Sequence, residues 1–237
     1  ARALVIDHLD HSVRNADELE LHTGLKAVGA LPTLGNDSLG RRIANRGVSE
    51  PASFGDVMSA LADPKSIRGG LPYRQSVLRL LSRARGLMQP NHPAVAMLVS
   101  ANSGAGTSAT ALALAYAAAL SGEKVLLVDA ASTDVALSIA LAGDLDHRGV
   151  IVLDNRAHLQ AITRRDQRSG LAFLPIALAD LRSLKAHQSK RLAHGITALS
   201  QGYDLVVIDG GAMLEDESAA ARFPIVAQVI VVARAGV

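Results

Sequence analysis

The stretch of this chain with the most chemical content is Val99-Ser100-Ala101-Asn102-Ser103-Gly104-Ala105-Gly106-Thr107-Ser108-Ala109. An apolar run leads into it, two glycines interrupt it and an alanine-rich helical pattern follows. At such a strand-to-helix junction, free backbone N–H groups and the helix dipole converge on a spot that suits phosphate. Glycine lets the backbone approach an anion with no Cβ in the way. Two sharper patterns compete for these residues. As a P-loop, G-x-x-x-x-G-K-[ST], the frame runs from Ala101 to Gly106, Thr107 and Ser108. The last glycine and the magnesium-binding hydroxyl of Ser108 are present, but Thr107 stands where the lysine belongs. As a dinucleotide fingerprint, G-x-G-x-x-A, Gly104 to Ala109 matches completely. A glycine-rich turn with no ligand is the third reading.

Two further segments bear on the choice. Lys124-Val125-Leu126-Leu127-Val128-Asp129 and Asp204-Leu205-Val206-Val207-Ile208-Asp209 are both apolar runs closed by a carboxylate. In a parallel sheet such terminal acids lie at the ligand-binding edge, beside the loop. Two of them near a phosphate cradle make a place for Mg²⁺, which takes oxygen ligands and keeps several waters. A dinucleotide fold uses the first acid, on the ribose, and has no need of the second.

Composition narrows the classes. The 237 residues include no Cys, which removes disulfide scaffolds, thiolate zinc sites and cysteine nucleophiles. There is no Trp, with only three Tyr and three Phe, which argues against a base-stacking nucleic-acid binder. No G-x-S-x-G is present to support a serine hydrolase. Of the eight His, only His8 and His11 have helical ligand spacing, and no acidic cluster accompanies them. The net charge is only +2, yet no carboxylate falls between Asp63 and Glu123, a span that carries Lys65, Arg68, Arg74, Arg79, Arg83 and Arg85. That span favours an anionic neighbour over a purely solvated face only if something else singles it out. No apolar run reaches the length of a membrane span, and residues 109–120 read as a buried helix.

These residues need elements to hold them. Asn15 and Glu18 have capping-box spacing, so a short helix is expected to stop at Gly24. A short strand over 25–31 and a linker over 33–51 follow. Residues 71–87 form an amphipathic helix with Val77, Leu78, Leu81, Ala84 and Met88 as its apolar stripe. Strands are expected at 94–99, 124–129, 171–175, 204–209 and 225–233, with helices from 54 and at 107–121, 135–141, 184–201 and 217–222. Strands alternating with helices predict an α/β fold, a doubly wound parallel sheet with helices on both faces.

Taken together, Ser100–Ser108, Lys124–Thr133 and Tyr203–Asp209 resemble the cytoplasmic domain of the bacterial tyrosine kinases, the BY-kinases of exopolysaccharide chain-length co-polymerases. The resemblance runs from about Leu71 to Val237, and more loosely covers Val13–Pro32. It implies a P-loop NTPase-type sheet over residues 53–237, preceded at 1–52 by a juxtamembrane segment and linker. It further implies a fragment of an inner-membrane protein at its cytoplasmic face, homo-oligomeric and working with polysaccharide polymerase or export machinery, with no nucleic acid as partner.

On that resemblance, the backbone of Ser103, Gly104, Ala105, Gly106, Thr107 and Ser108 would cradle the phosphates of ATP or ADP. Ser108, Asp129 and Asp209 would hold Mg²⁺, with Asp129 and Asp209 catalytic if the site is active. Arg74, Arg79 and Arg83 would meet a neighbouring protomer; anionic lipid is the alternative for them. The departures point to a pseudokinase that binds ATP weakly or not at all. Thr107 replaces the lysine, Ala131 the second aspartate and Thr133 the arginine of the second motif, and the tyrosine cluster is missing. An active kinase or ATPase would need a substitute cation, with Lys124 the first place to look. A partition-type ATPase would need a lysine where Asn102 stands, and an NAD(P)-dependent oxidoreductase would follow from the complete G-x-G-x-x-A match.

Overall fold

The computed structural model describes residues 18, 20–21, 24–32, 34, 53–87, 93–132, 134–142, 156–176, 181, 184–214 and 223–234. The Asn15 cap, the 33–51 linker apart from Leu34, Met88, Thr133 and the helix expected at 217–222 lie outside them.

Helix α1 (Phe54–Ala62) starts from a true capping box. Ser53 receives the Asp56 N–H on its hydroxyl, and Asp56 Oδ2 accepts the Ser53 N–H at 2.9 Å. Helix α2 (Gly70–Leu87) buries Tyr73, Val77, Leu80, Leu81 and Ala84. The expected stripe is thus rotated: Leu78 lies outside it, 39% exposed, and Tyr73 and Leu80 take its place. Strand β1 (Ala94–Ser100) leads through the glycine loop into α3 (Thr107–Leu120), and β2 (Val125–Asp129) follows. Then come α4 (Ala136–Ala142), α5 (Arg156–Ile162), β3 (Arg164–Arg165), β4 (Ala172–Leu174), α6 (Ala186–Ser200), β5 (Leu205–Ala212) and β6 (Gln228–Val232).

The six strands are ordered β3-β4-β2-β5-β1-β6, all parallel except the two-residue edge strand β3, which runs antiparallel to β4. Two neighbouring arginines gave no strand signal, so β3 was not legible in the sequence. Alternation along the strands feeds two cores. Ala96, Leu98, Leu127 and Val207 face a layer containing α1, α2 and α3, while Val95, Met97, Val128 and Ile208 face Leu159 of α5 and Leu192 and Ile196 of α6. Helix α3 is buried from Ala111 to Ala119, because α1 and α2 cover the side that the sheet does not. That is why its sequence is apolar all round.

The strand expected at 25–31 does not form; those residues run without ladder pairing. Their backbone is held instead by side chains. Glu20 accepts the Ala27 N–H at 2.7 Å, and the Arg83 guanidinium donates to the Val28 carbonyl at 3.1 Å. Val28, Leu31 and the buried Leu34 pack onto the α1–α2–α3 core. Gly24, in the left-handed region at φ 67°, donates its N–H to the Glu20 carbonyl, as expected of a helix stop.

Candidate functional site

The loop between β1 and α3 is open and shaped by its glycines. Gly104 and Gly106 have φ of 80° and 89°, conformations that other residues adopt only with strain. Gly106 occupies the cap position of α3 and supplies no side-chain acceptor, so the first N–H groups of a 14-residue helix have no capping side chain. The loop is braced from below: the Ser100 hydroxyl donates to the Asn102 carbonyl, and Met213 and Leu214 donate backbone N–H groups to the Ser100 and Ala101 carbonyls. Ser103, Gly104 and Gly106 are exposed, Ala105 and Ser108 half-buried, and Thr107 is only 6% exposed.

Both strand-end acids reach this edge. Asp129 and Asp209 are register partners across β2 and β5, and both are fully buried. Asp129 is held by two donors, the Ala131 N–H on Oδ1 at 3.2 Å and the Ser138 hydroxyl on Oδ2 at 2.6 Å. Asp209 Oδ1 accepts the Gly211 N–H at 3.1 Å, whereas Oδ2 is buried with no hydrogen-bond partner. The Ser108 hydroxyl lies near enough to favour the Asp209 carboxylate without completing a hydrogen bond to Oδ2. Burial pushes the Asp129 carboxyl up to about 7, and the charge of Asp209 adds to it against the pull of Ser138 and Ala131. Burial raises Asp209 to about 6, with Ser108 and Gly211 opposing and Asp134 adding to the rise.

An orphaned carboxylate oxygen beside a hydroxyl is a donor set that fits Mg²⁺. Asp209 and Ser108 would hold the ion, with Asp129, already bonded to Ser138, placed to orient a water. When bound, the ion would supply charge neutralisation at the phosphates. Ser138 was not singled out from the sequence; a serine inside an apolar helix turn was its only signal.

The structure does not bring every expected residue here. Lys124 precedes β2 at the opposite end of the sheet, about 16 Å of extended chain from Asp129. Its backbone N–H bonds Asp204, and it cannot stand in for the absent lysine. Among the described residues, a cation that does reach the loop's end of the sheet is Arg234, exposed and two residues past Val232, which pairs with Ser100. Of the arginines expected at a subunit contact, Arg83 is engaged with Val28, Arg79 with the Ser76 hydroxyl at 3.0 Å, and Arg74 is exposed. Arg85 forms an ion pair with Glu123 of the same chain.

Strand order decides between the competing motifs. In a dinucleotide fold the first two strands are neighbours. Here β5 lies between β1 and β2, so the acid facing the loop's strand is Asp209 and the oxidoreductase reading falls. The comparison with family models agrees: residues 94–236, more than half of the chain, match the model described as cellulose biosynthesis protein BcsQ. The chain belongs to the BcsQ family. Solved structures show where this BcsQ-family chain sits among P-loop folds. It superposes on the kinase domain of Escherichia coli tyrosine kinase ETK with TM-score 0.68 and 21% identity, covering 94% of this chain and 82% of that one. The BceF tyrosine kinase domain gives 0.65 and 21%, covering 95% and 87%. The chimerical protein CapA2B2 gives 0.64 and 18%, covering 92% and 84%. At these identities the likeness is one of fold, and the fold is that of a BY-kinase-like domain. No curated protein matches the chain.

Proposed function

We propose that this BcsQ-family chain is a degenerate nucleotide-site module that regulates or scaffolds the synthesis or export of an exopolysaccharide, cellulose being the first candidate. In this reading it works at the cytoplasmic face of the bacterial inner membrane, with the polymerase or export machinery. The resemblance makes a homo-oligomer the working arrangement, though not one built on Arg74 and Arg79, which we assign below to a different partner.

The observation that carries the reading is Thr107. A neutral, buried hydroxyl occupies the position from which a lysine would reach the β- and γ-phosphates. Two buried carboxylates stand at the same edge, so a triphosphate would meet net negative charge there. Loss of the charged hydrogen bond costs roughly 1.5–3 kcal/mol, on the order of ten- to a hundredfold in affinity. Phosphoryl transfer, which depends on neutralising developing charge, would suffer more. The acceptor side points the same way, because all three tyrosines, Tyr73, Tyr116 and Tyr203, are buried in the core. Titration calorimetry with Mg-ATP and Mg-ADP tests the reading, together with radiolabelled ATP as phosphoryl donor. Weak or undetectable binding and no label on tyrosine are expected; robust tyrosine labelling overturns it.

A working ATPase is the second reading, and Arg234 is the observation that favours it, since it supplies a cation on the loop's edge. Turnover that disappears in Arg234→Ala, with the fold intact, would establish it.

A further inference from the structure

The outward face of α2 has a composition that neither the core nor the nucleotide site explains. Leu71 and Leu78 are 49% and 39% exposed, seven residues apart and so in line, two turns apart, on one side of the helix. Arg74 and Arg79, both exposed, flank them on either side, and no carboxylate occurs between Asp63 and Glu123. The hydroxyl of Ser76 takes one donor of Arg79, and a guanidinium carries five.

We propose that this face docks the domain on an anionic phospholipid surface, with Arg74 and Arg79 meeting headgroup phosphates and Leu71 and Leu78 resting at the acyl boundary. Leucines set among cations on one exposed helix face are the pattern of an interfacial helix, and anionic lipid attracts each such cation. Charge complementarity argues against a second copy of this helix as the occupant, because two copies would oppose arginine to arginine. The described exposed carboxylates Glu20, Asp63, Asp134 and Asp204 sit on separate elements and make no acidic face to receive them. Nucleic acid would explain the arginines and leave the leucines without a role.

Flotation of the full chain with vesicles tests this. Binding is expected to vesicles of equal parts phosphatidylcholine and phosphatidylglycerol, to be absent from phosphatidylcholine alone, and to weaken with added salt. Arg74→Glu with Arg79→Glu, both exposed and away from the core, should lower vesicle affinity at least about tenfold. Leu71→Ser with Leu78→Ser should remove the part of the binding that survives salt. Circular dichroism melts confirm that each variant folds. Absence of binding to the anionic vesicles overturns the proposal, as does binding that the arginine pair does not affect. Equal competition by duplex DNA in place of lipid overturns it as well, and so does a dimer, seen by sedimentation without lipid, that the arginine substitutions dissolve. None of these outcomes depends on whether nucleotide binds.

Discussion

Asp129 and Asp209 face each other in register across β2 and β5, both buried, and only Asp129 has a donor on each of its oxygens. Burial raises both carboxyls above the ordinary range, and a charge on one opposes ionisation of the other. The sheet therefore holds two carboxyls that resist being charged together unless a cation joins them.

That pair makes stability depend on pH. Both carboxyls bind protons more tightly in the fold than at the ordinary value of 3.8. Their stabilising contribution is fully present below that value and is lost as pH rises through about 6 and about 7. The loss is on the order of a few kcal/mol. Asp129→Asn should flatten the decline and raise Tm at slightly alkaline pH, as read from thermal melts across the range. Added Mg²⁺ should recover part of the alkaline loss in the native chain, and less of it in Asp209→Asn.

Thr107→Lys restores the missing charge at the loop. Affinity for Mg-ATP should rise roughly ten- to a hundredfold, measured by calorimetry. No gain in a folded variant would mean that the loop cannot seat a triphosphate at all.

Ser138→Ala removes the 2.6 Å bond to Asp129 and leaves a buried oxygen without its donor. Stability should fall by about 1–3 kcal/mol by chemical denaturation at neutral pH. Protonation of Asp129 should also move further up, since Ser138 is one of the groups favouring the charged form.

Two glycines should fail for different reasons. Gly106→Ala has open space for its Cβ but keeps a φ of 89°, so the cost is backbone strain of roughly 1 kcal/mol. At Gly210 a Cβ would stand 2.4 Å from Met97 Cε and 3.1 Å from the Leu98 carbonyl, between β5 and β1. Gly210→Ala should therefore be the more damaging of the two in urea unfolding.

Leu34→Ala tests whether the N-terminal segment belongs to the core. Leu34 is 3% exposed, and with Val28 and Leu31 it packs against the α1–α2–α3 layer. A loss of about 2–4 kcal/mol is expected; a loss near zero would mean that the segment only rests on the surface.

Much of this was legible one segment at a time. Apolar runs of β-branched residues and leucine announced β1, β2 and β5, and the alanine-rich stretch after the glycines announced a buried α3. The acids closing two strands and the threonine in place of lysine were visible as letters. The 25–31 strand and the Leu78 position went wrong because short apolar runs do not say what will cover them. Arg164 and Arg165 form a strand through backbone pairing alone, which side-chain pattern does not encode.

By itself the sequence determined the type of each long element, the phosphate-loop geometry that glycine permits, and the absence of a cation at position 107. Those follow from local chemistry, since periodicity and backbone freedom are properties of neighbours along the chain. Only the tertiary structure decided that β5 enters between β1 and β2, that Asp129 meets Asp209 and Ser138, and that Lys124 stands at the wrong end while Arg234 stands at the right one. Those relations depend on which strands the crossovers bring side by side, and crossover order is fixed by how whole layers bury their apolar faces.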